Sequence, residues 1–178
     1  MTLKELRRLI KSDMRHHGGT SFTKKWYVYL TNPSFRLLLN YRIGKYFKSK
    51  KGKLWNFLAA YYKYKQLTKR TSHISYNCEI GENVYFPHPI SIMIGDGVII
   101  EGNARIYQHA MLASHGKKNE ERGYPYFEKG VRIYSSVTVV GDIRIGENAV
   151  IGAKSLVRKS VEANTTVYGI PARKKETK

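Results

Sequence analysis

Three histidines have neighbours that could make them reactive. His88 lies between Pro87 and Pro89 in PHPISIMIG, while His109 and His115 lie at the two ends of HAMLASH. Imidazole titrates near neutral pH, so it can take a proton from one group and pass it to another. The two prolines restrict the backbone and would fix where the ring points. His88, His109 and His115 are therefore candidates for acid/base chemistry; solvated corner histidines without a role are the alternative.

These histidines lie in a sequence that repeats every six residues. An amphipathic helix repeats at three and four residues and a flat strand at two, so a period of six predicts a triangular solenoid whose short strands each turn one apolar side chain inwards. A β-sandwich is the alternative, but alternation does not generate this period. The repeated positions are Ile74, Ile80, Phe86, Ile92, Ile94, Ile100, Ile106, Leu112, Phe127, Ile133, Val139, Ile145, Ile151 and Val157, with a frame slip of two after Ile92.

Residues 113–126 interrupt this repeat. A long excursion from a solenoid usually lies where function concentrates, so we predict a protruding loop that serves as a lid.

The positive charge is concentrated before residue 70. Of the net charge of +19, residues 1–70 contribute +16, because their 18 lysines and arginines face only Glu5 and Asp13. The composition changes at the same place, from runs of basic and aromatic residues to repeated Ile-Gly and Val-Gly pairs. We therefore predict a basic, aromatic-rich helical region over 1–70 and a solenoid domain over 71–178 that ends in a C-terminal tail.

Three segments of the first region have helical spacing. They are LKELRRLIK, PSFRLLLNYRIGKYF and KLWNFLAAYYKYKQL. Amphipathic, cationic and aromatic helices are typical of a membrane interface, where each Lys or Arg near an anionic surface contributes about 1 kcal/mol. A helical cap that packs on the solenoid is the alternative. Nucleic acid is disfavoured as a partner, because no binding motif accompanies the charge.

Composition excludes several classes of protein. The single cysteine, Cys78, cannot form an intramolecular disulfide or a cysteine-based zinc cluster, and we expect no metal site. The N-terminus lacks the apolar region of a signal peptide, and no apolar run approaches the roughly 18 residues of a spanning helix. We expect a cytoplasmic protein, peripheral at the inner face of the cytoplasmic membrane if the basic helices bind lipid.

The repeats IGENVYF, IGDGVIIEGNARI and VVGDIRIGENAVIGAKSLV, followed by NTTVYGIPAR, resemble the hexapeptide-repeat acyltransferases, in particular the serine O-acetyltransferase branch, over residues 72–173. The resemblance implies a mainly β fold, a left-handed parallel β-helix with an N-terminal α-helical region. It also implies a homotrimer whose active sites lie between adjacent β-helices, with acetyl-CoA along the groove and His88 as general base.

The same resemblance places the pantetheine of the coenzyme along backbone amides of the later coils. The residues expected to line this groove are Ala113, Ser114, Ser135, Ser136, Gly152, Ala153 and Lys154. Phosphates need cations, although surface lysines and arginines are usually only solvated. The cations expected to bind the phosphates are Lys154, Arg158, Arg173 and Lys174.

The chain departs from the serine enzymes at the acceptor. They carry an aspartate before the base, an Arg-His-Pro element after the loop and an upstream aspartate that orients the base; here these places hold Pro87, Gly123-Tyr124-Pro125 and His73. An amino acid needs a partner of opposite charge for each of its own charges. We therefore expect a neutral acceptor, a sugar of a capsular or other surface polysaccharide or its lipid-linked precursor.

The residues expected to bind this acceptor are His73, Tyr107, Gln108 and Tyr124. Two alternatives stay open: a serine O-acetyltransferase, and a catalytically silent trimeric scaffold.

Overall fold

Four helices precede fourteen short strands in the computed structural model, which describes residues 1–116 and 123–175. The helices are α1 (Leu3–His16), α2 (Phe22–Thr31), α3 (Pro33–Lys48) and α4 (Lys53–Arg70). The strands are β1 (His73–Ile74), β2 (Glu79–Glu82), β3 (Met93–Ile94), β4 (Ile99–Gly102), β5 (Arg105–Ile106), β6 (Met111–Ala113), β7 (Tyr126–Phe127), β8 (Arg132–Ile133), β9 (Thr138–Val140), β10 (Arg144–Ile145), β11 (Val150–Ile151), β12 (Leu156–Val157), β13 (Thr166–Tyr168) and β14 (Arg173–Lys174).

The strands form the three walls of a left-handed parallel β-helix. This confirms the solenoid predicted from the period of six and the left-handed fold that the resemblance implies. Face A has the order β1-β3-β6-β9-β12, face B the order β2-β4-β7-β10, and face C the order β5-β8-β11-β13, with β14 added antiparallel to β13. All fourteen repeated apolar positions are buried inside the prism. Each wall of each coil therefore turns one large side chain into a continuous core, as the repeat requires.

The helices begin where the sequence supplies caps. Thr2 and Glu5 form a capping box at α1, and Asn32 accepts a hydrogen bond from the backbone of Phe35 at the start of α3. The sequence predicted three helices and missed α2, which follows the Ser21 cap. Its composition, rich in aromatic and β-branched residues, is poor in intrinsic helix formers, so propensity gave no signal for it.

Helix α3 closes the N-terminal end of the prism. Leu37, Leu38 and Tyr41 are fully buried in the same core as Ile74 and Cys78 of the first coil. The Tyr41 hydroxyl donates a 2.8 Å hydrogen bond to the Cys78 carbonyl. This helix is thus a cap on the solenoid, the alternative considered for the basic region, although α2 and α4 leave apolar side chains exposed.

A buried ion pair fastens α1 to the same end. Arg42 on α3 donates through Nε to Asp13 Oδ2 at 3.1 Å, and its other nitrogens donate to the carbonyls of Ile80 and Gly81. Burial, the largest influence, raises the pKa of Asp13 even though Arg42 acts to lower it.

Among the described residues, no helix combines the length and apolarity needed to cross a bilayer.

Candidate functional site

His88 occupies an enlarged corner of the β-helix. Tyr85 on face C and Met93 on face A are eight positions apart, whereas the paired residues of the next coil, Arg105 and Met111, are only six apart. The two extra residues account for the frame slip in the repeat, and they fall in the segment that carries His88. The corner therefore bulges where a normal coil would turn tightly, and the His88 side chain is exposed.

Two tyrosines flank this corner in the following coils. The Tyr107 ring centroid lies 6.4 Å from that of His88 and 5.1 Å from that of Tyr134, on which it stacks. Among the described residues, no side chain hydrogen-bonds to the His88 ring. The Tyr107 ring is thus an aromatic neighbour of the imidazole, and a bound substrate or a second copy of the chain could supply a hydrogen-bond partner for it.

Most of the predicted site residues lie in columns along one edge of the prism, here called the C/A edge, where each coil passes from face C to face A. The corner positions share a left-handed backbone, with φ of 52° at Ser91, 60° at His109, 59° at Ser136 and 58° at Lys154. Their N–H groups donate to the coil before, which keeps successive corners stacked. The predicted residues on this edge are His88, Tyr107, Gln108, His109, Ser135, Ser136, Gly152, Ala153 and Lys154.

The backbone amides along the C/A edge alternate between bonded and free. The N–H groups of Ser136 and Lys154 donate to Gln108 and Ser135 carbonyls at 3.0 and 2.9 Å. By contrast, the N–H groups of Gln108, Ser135 and Ala153 donate to no described residue. A column of free donors, one for each coil, suits an extended ligand that carries amide carbonyls, such as pantetheine.

The side chain of Gln108 lacks a hydrogen-bond partner among the described residues. Its side-chain oxygen is buried and accepts no hydrogen bond from the described residues. Because Tyr85 pairs with Arg105, Gln108 occupies the same corner position as His88 in the next coil. A donor on a bound substrate or on a neighbouring copy would satisfy this oxygen.

His73 lies at the same edge, in the first coil. It lines an open cavity of about 320 Å³ together with Leu67 and Ser91. Burial lowers the pKa of His73, and the nearby Lys63 lowers it further, so the ring favours its neutral form. His73 can thus bind a ligand as a neutral donor or acceptor, but among the described residues it makes no hydrogen bond to His88.

The remaining loop residues lie elsewhere, along the A/B edge, where each coil passes from face A to face B. Ala113 ends β6 and leads through Ser114 to His115, whose ring lies beside Gly141 of the next coil. Tyr124 packs against Gly95 and Gly97 on the same edge. Of the predicted lid, residues 117–122 lie outside the described part of the chain. Within one chain, face A separates His115 and Tyr124 from His88, so the expectation that they share one site requires a second copy.

The cations predicted for phosphates divide into two places. Lys154 lies on the C/A edge, whereas Arg158, Arg173 and Lys174 line an open cavity of about 790 Å³ at the C-terminal end of the prism. Lys174 is already paired with Glu162 at 2.9 Å. Lys154, Arg158 and Arg173 are therefore better placed than Lys174 to provide charge for phosphates.

Two further groups were missed by sequence reasoning. Asp142 packs against Gly123 on the A/B edge, where its carboxylate is exposed. Arg105 and Arg132 are paired neighbours on the outer side of face C. They occupy the outward position of their strands, which alternation indicates, but no motif distinguishes them from ordinary surface residues.

Comparison with known proteins agrees with this geometry. A family profile described as the hexapeptide repeat of succinyl-transferase matches residues 74–108 and 142–167. The serine acetyltransferase of Buchnera aphidicola (from Acyrthosiphon pisum) is 34% identical over 143 residues, which are 78% of this chain and 50% of the relative.

Two solved structures have the same fold. Soybean serine acetyltransferase complexed with serine superposes with a TM-score of 0.83 at 26% identity, over 96% of this chain and 70% of that chain. Serine acetyltransferase from Brucella abortus in complex with coenzyme A gives a TM-score of 0.83 at 22% identity, over 97% of this chain and 68% of that chain. The chain spans about half the length of the curated relatives it matches.

These relatives contradict the expected sugar acceptor, since they are named for serine acetylation. The prediction of a glycan rested on charges missing at Pro87 and at Gly123-Tyr124. That reasoning assumed that an acceptor's charges must be matched at fixed places in the sequence. A site built from two edges can take its charges from other parts of the chain.

Proposed function

The chain belongs to the hexapeptide-repeat acyltransferase family, in its serine O-acetyltransferase-like branch, and from this membership we propose that it transfers the acetyl group of acetyl-CoA to the hydroxyl of serine. The observation that carries the proposal is the position of His88, at the head of a column of free backbone amides on the C/A edge.

The geometry supports a direct transfer. The serine oxygen attacks the thioester carbonyl carbon while His88 takes its proton, so that charge does not build up on a neutral alcohol. The carbon–sulfur bond then breaks, and His88 returns the proton to the departing thiolate. The products are O-acetylserine and the free thiol of coenzyme A, and the imidazole ends as it began. Tyr107 lies beside the imidazole, with ring centroids 6.4 Å apart, and stacks on Tyr134.

The column of free amides supports the coenzyme assignment. The N–H groups of Gln108, Ser135 and Ala153 can donate to the carbonyls of the pantetheine arm. Lys154 and the two arginines at the end of the prism, Arg158 and Arg173, can neutralise phosphates. This arrangement would run the coenzyme along the prism, with its thiol end toward the first coils.

A homotrimer supports the acceptor assignment. His88 and His115 lie on edges that face A separates, so a site containing both draws on two copies of the chain. Asp142 on the A/B edge then provides a carboxylate for the ammonium of serine, and Arg105 or Arg132 provides a guanidinium for its carboxylate. Each charge of the amino acid thus has a counterpart in the chain.

The test is release of free thiol from acetyl-CoA by the purified full chain. We expect release with L-serine, and release at the background rate with O-methylserine, which has no free hydroxyl, and with N-acetylserine, which has no ammonium. Equal release from serine and N-acetylserine would remove Asp142 from acceptor binding. If serine does not increase the release of thiol, the proposal is wrong, and the catalytically silent scaffold becomes the favoured alternative.

A further inference from the structure

Helices α2 and α4 expose a surface that the folded chain does not use, here called the aromatic face. Its members are Phe22, Trp26 and Tyr29 on α2 and Leu54, Phe57, Tyr61 and Tyr64 on α4. Phe22 is 76% exposed and Phe57 is 68% exposed. Single exposed apolar residues are ordinary, but a set of seven on two neighbouring helices is not.

The spacing on α4 shows that this is a second apolar stripe. Leu54, Phe57, Tyr61 and Tyr64 recur at three and four residues, the spacing of one helical face. The helix already has another face turned inwards, where Ala59 and Gln66 are buried. Packing on α3 therefore accounts for one side of α4 and leaves the aromatic side without a function in the fold.

Helices α2 and α4 approach each other near Tyr29 and Tyr62. After burial, the largest cause, the nearby phenol of Tyr29 on α2 and that of Tyr61 raise the pKa of Tyr62 on α4. Phe22, Trp26 and Tyr29 contact one another in series along α2, with ring centroids 6.4 and 6.1 Å apart. The exposed rings of α2 thus form one row, and α4, which packs on α3 as α2 does, carries the other members of the aromatic face.

Positive charge surrounds this face. Residues 22–70 contain 13 lysines and arginines and no aspartate or glutamate. The Lys65 ammonium lies 5.3 Å from the Tyr61 ring centroid and 5.4 Å from that of Tyr62, so cations and aromatic rings are interleaved. An occupant of the aromatic face must therefore accept both apolar side chains and a dense positive charge.

Some of this charge sits where it weakens the helices. Lys24 and Lys25 lie in the first turn of α2 and Lys53 in the first turn of α4, and neither turn has an acidic residue. Positive charge at a helix N-terminus opposes the helix dipole, at a cost of about 0.3–1 kcal/mol for each residue. By contrast, α1 starts with a capping box containing Glu5. Local stability does not explain the lysines, which points to an external anionic partner.

We propose that the aromatic face binds the surface of an anionic bilayer, with α2 and α4 lying in the headgroup region. Tyrosine, tryptophan and lysine suit this boundary, because their rings and stems enter the apolar layer while their polar ends stay hydrated. A second copy of the chain would bring the same positive charge against this face. A nucleic acid would match the charge but leave Leu54 and Phe57 in water. The proposal does not depend on the acetyl acceptor.

The test is flotation of the full chain with vesicles of phosphatidylcholine, with and without phosphatidylglycerol. The test variant is K24E/K25E/K53E, whose new acids sit at helix N-termini where they favour folding. The matched control, K129E/K159E/K175E, reverses three exposed lysines outside the helical region, so its change in net charge is the same. We expect the parent and the control to float only with phosphatidylglycerol, and the test variant to bind at least about a hundredfold more weakly.

A second variant separates charge from insertion. Leu54→Ser with Phe57→Ser keeps every charge, so a purely electrostatic partner would bind it as it binds the parent. We expect weaker flotation and loss of the blue shift of Trp26 fluorescence, measured with Trp55 replaced by Phe. No flotation of the parent, flotation of either test variant equal to that of the parent, or tighter binding of the parent to nucleic acid than to vesicles would overturn the proposal.

Discussion

Ser34 on α3 accepts a 2.9 Å hydrogen bond from the backbone N–H of Phe86, two residues before His88. His17 completes the link: its Nδ1 lies 2.7 Å from the Asp13 carbonyl and its Nε2 lies 3.0 Å from Ser34 Oγ. Since a carbonyl can only accept, Nδ1 donates to it, and in the neutral ring Nε2 then accepts from the Ser34 hydroxyl. The helical cap is thereby tied directly to the segment that carries the proposed base.

Removing this link is expected to affect both folding and catalysis. Ser34→Ala leaves the buried N–H of Phe86 without an acceptor, which should lower the free energy of unfolding by about 1–3 kcal/mol. Looser placement of His88 should lower kcat more than it raises KM. Denaturant unfolding and steady-state kinetics measure the two effects. Thr68→Ala, which removes an exposed hydroxyl of α4 bonded to Tyr64, is the control and should change neither.

The absence of a side chain at Gly97 leaves room for the ring of Tyr124. A Cβ added at Gly97 would lie 2.3 Å from the Tyr124 ring. We expect Gly97→Ala to cost about 1–3 kcal/mol of stability, because the ring cannot be moved without disturbing its packing. In a Tyr124→Ala background the same change should cost close to nothing. If thermal unfolding shows equal costs in both backgrounds, the clash with Tyr124 is not the reason for glycine.

A site shared between copies makes an unusual prediction about mixtures. If His88 and His115 both act and come from different copies, His88→Ala and His115→Ala are each inactive alone. Chains refolded together should regain about a quarter of the parent activity, because random mixing restores that share of sites. Thiol release from acetyl-CoA measures this. Activity of His115→Ala alone would remove His115 from the reaction, and two inactive variants that do not complement would place both histidines in one copy.

His73 should make stability depend on pH. Burial, then Lys63, lowers its pKa in the folded state below 6.5, so the unfolded chain binds more protons in the interval between the two values. The stability that the neutral ring contributes is present above about pH 6.5 and is lost as the pH falls toward the folded pKa. We expect His73→Gln to flatten this part of the curve in chemical denaturation; an unchanged slope would contradict the lowered pKa.

The repeat was predictable because a solenoid places each apolar residue by a simple period. Every position from Ile74 to Val157 in that series is buried, and the frame slip after Ile92 corresponds to the enlarged corner at His88. Sequence order alone fixes which residues share an edge once the period is known. The column of free amides follows from the same spacing, but only the hydrogen bonds show which amides are used.

Other features depend on contacts that no period describes. Helix α2 is stabilised by its Ser21 cap and by packing, because its residues have low intrinsic helix propensity. The bond from Phe86 to Ser34 joins residues far apart in sequence, and neither residue type signals it. The acceptor was mispredicted because charges were sought only at the places where the serine enzymes carry them.

The two extra residues at the His88 corner leave the stacking of the coils intact, since Ser91 and His109 still bond to the coil before. A corner of this kind can lengthen or change its reactive group without altering the inward columns. The scaffold therefore separates what must stay constant for folding from what is free to diversify, and related chains could acquire new acceptors through insertions of a few residues at a single bend.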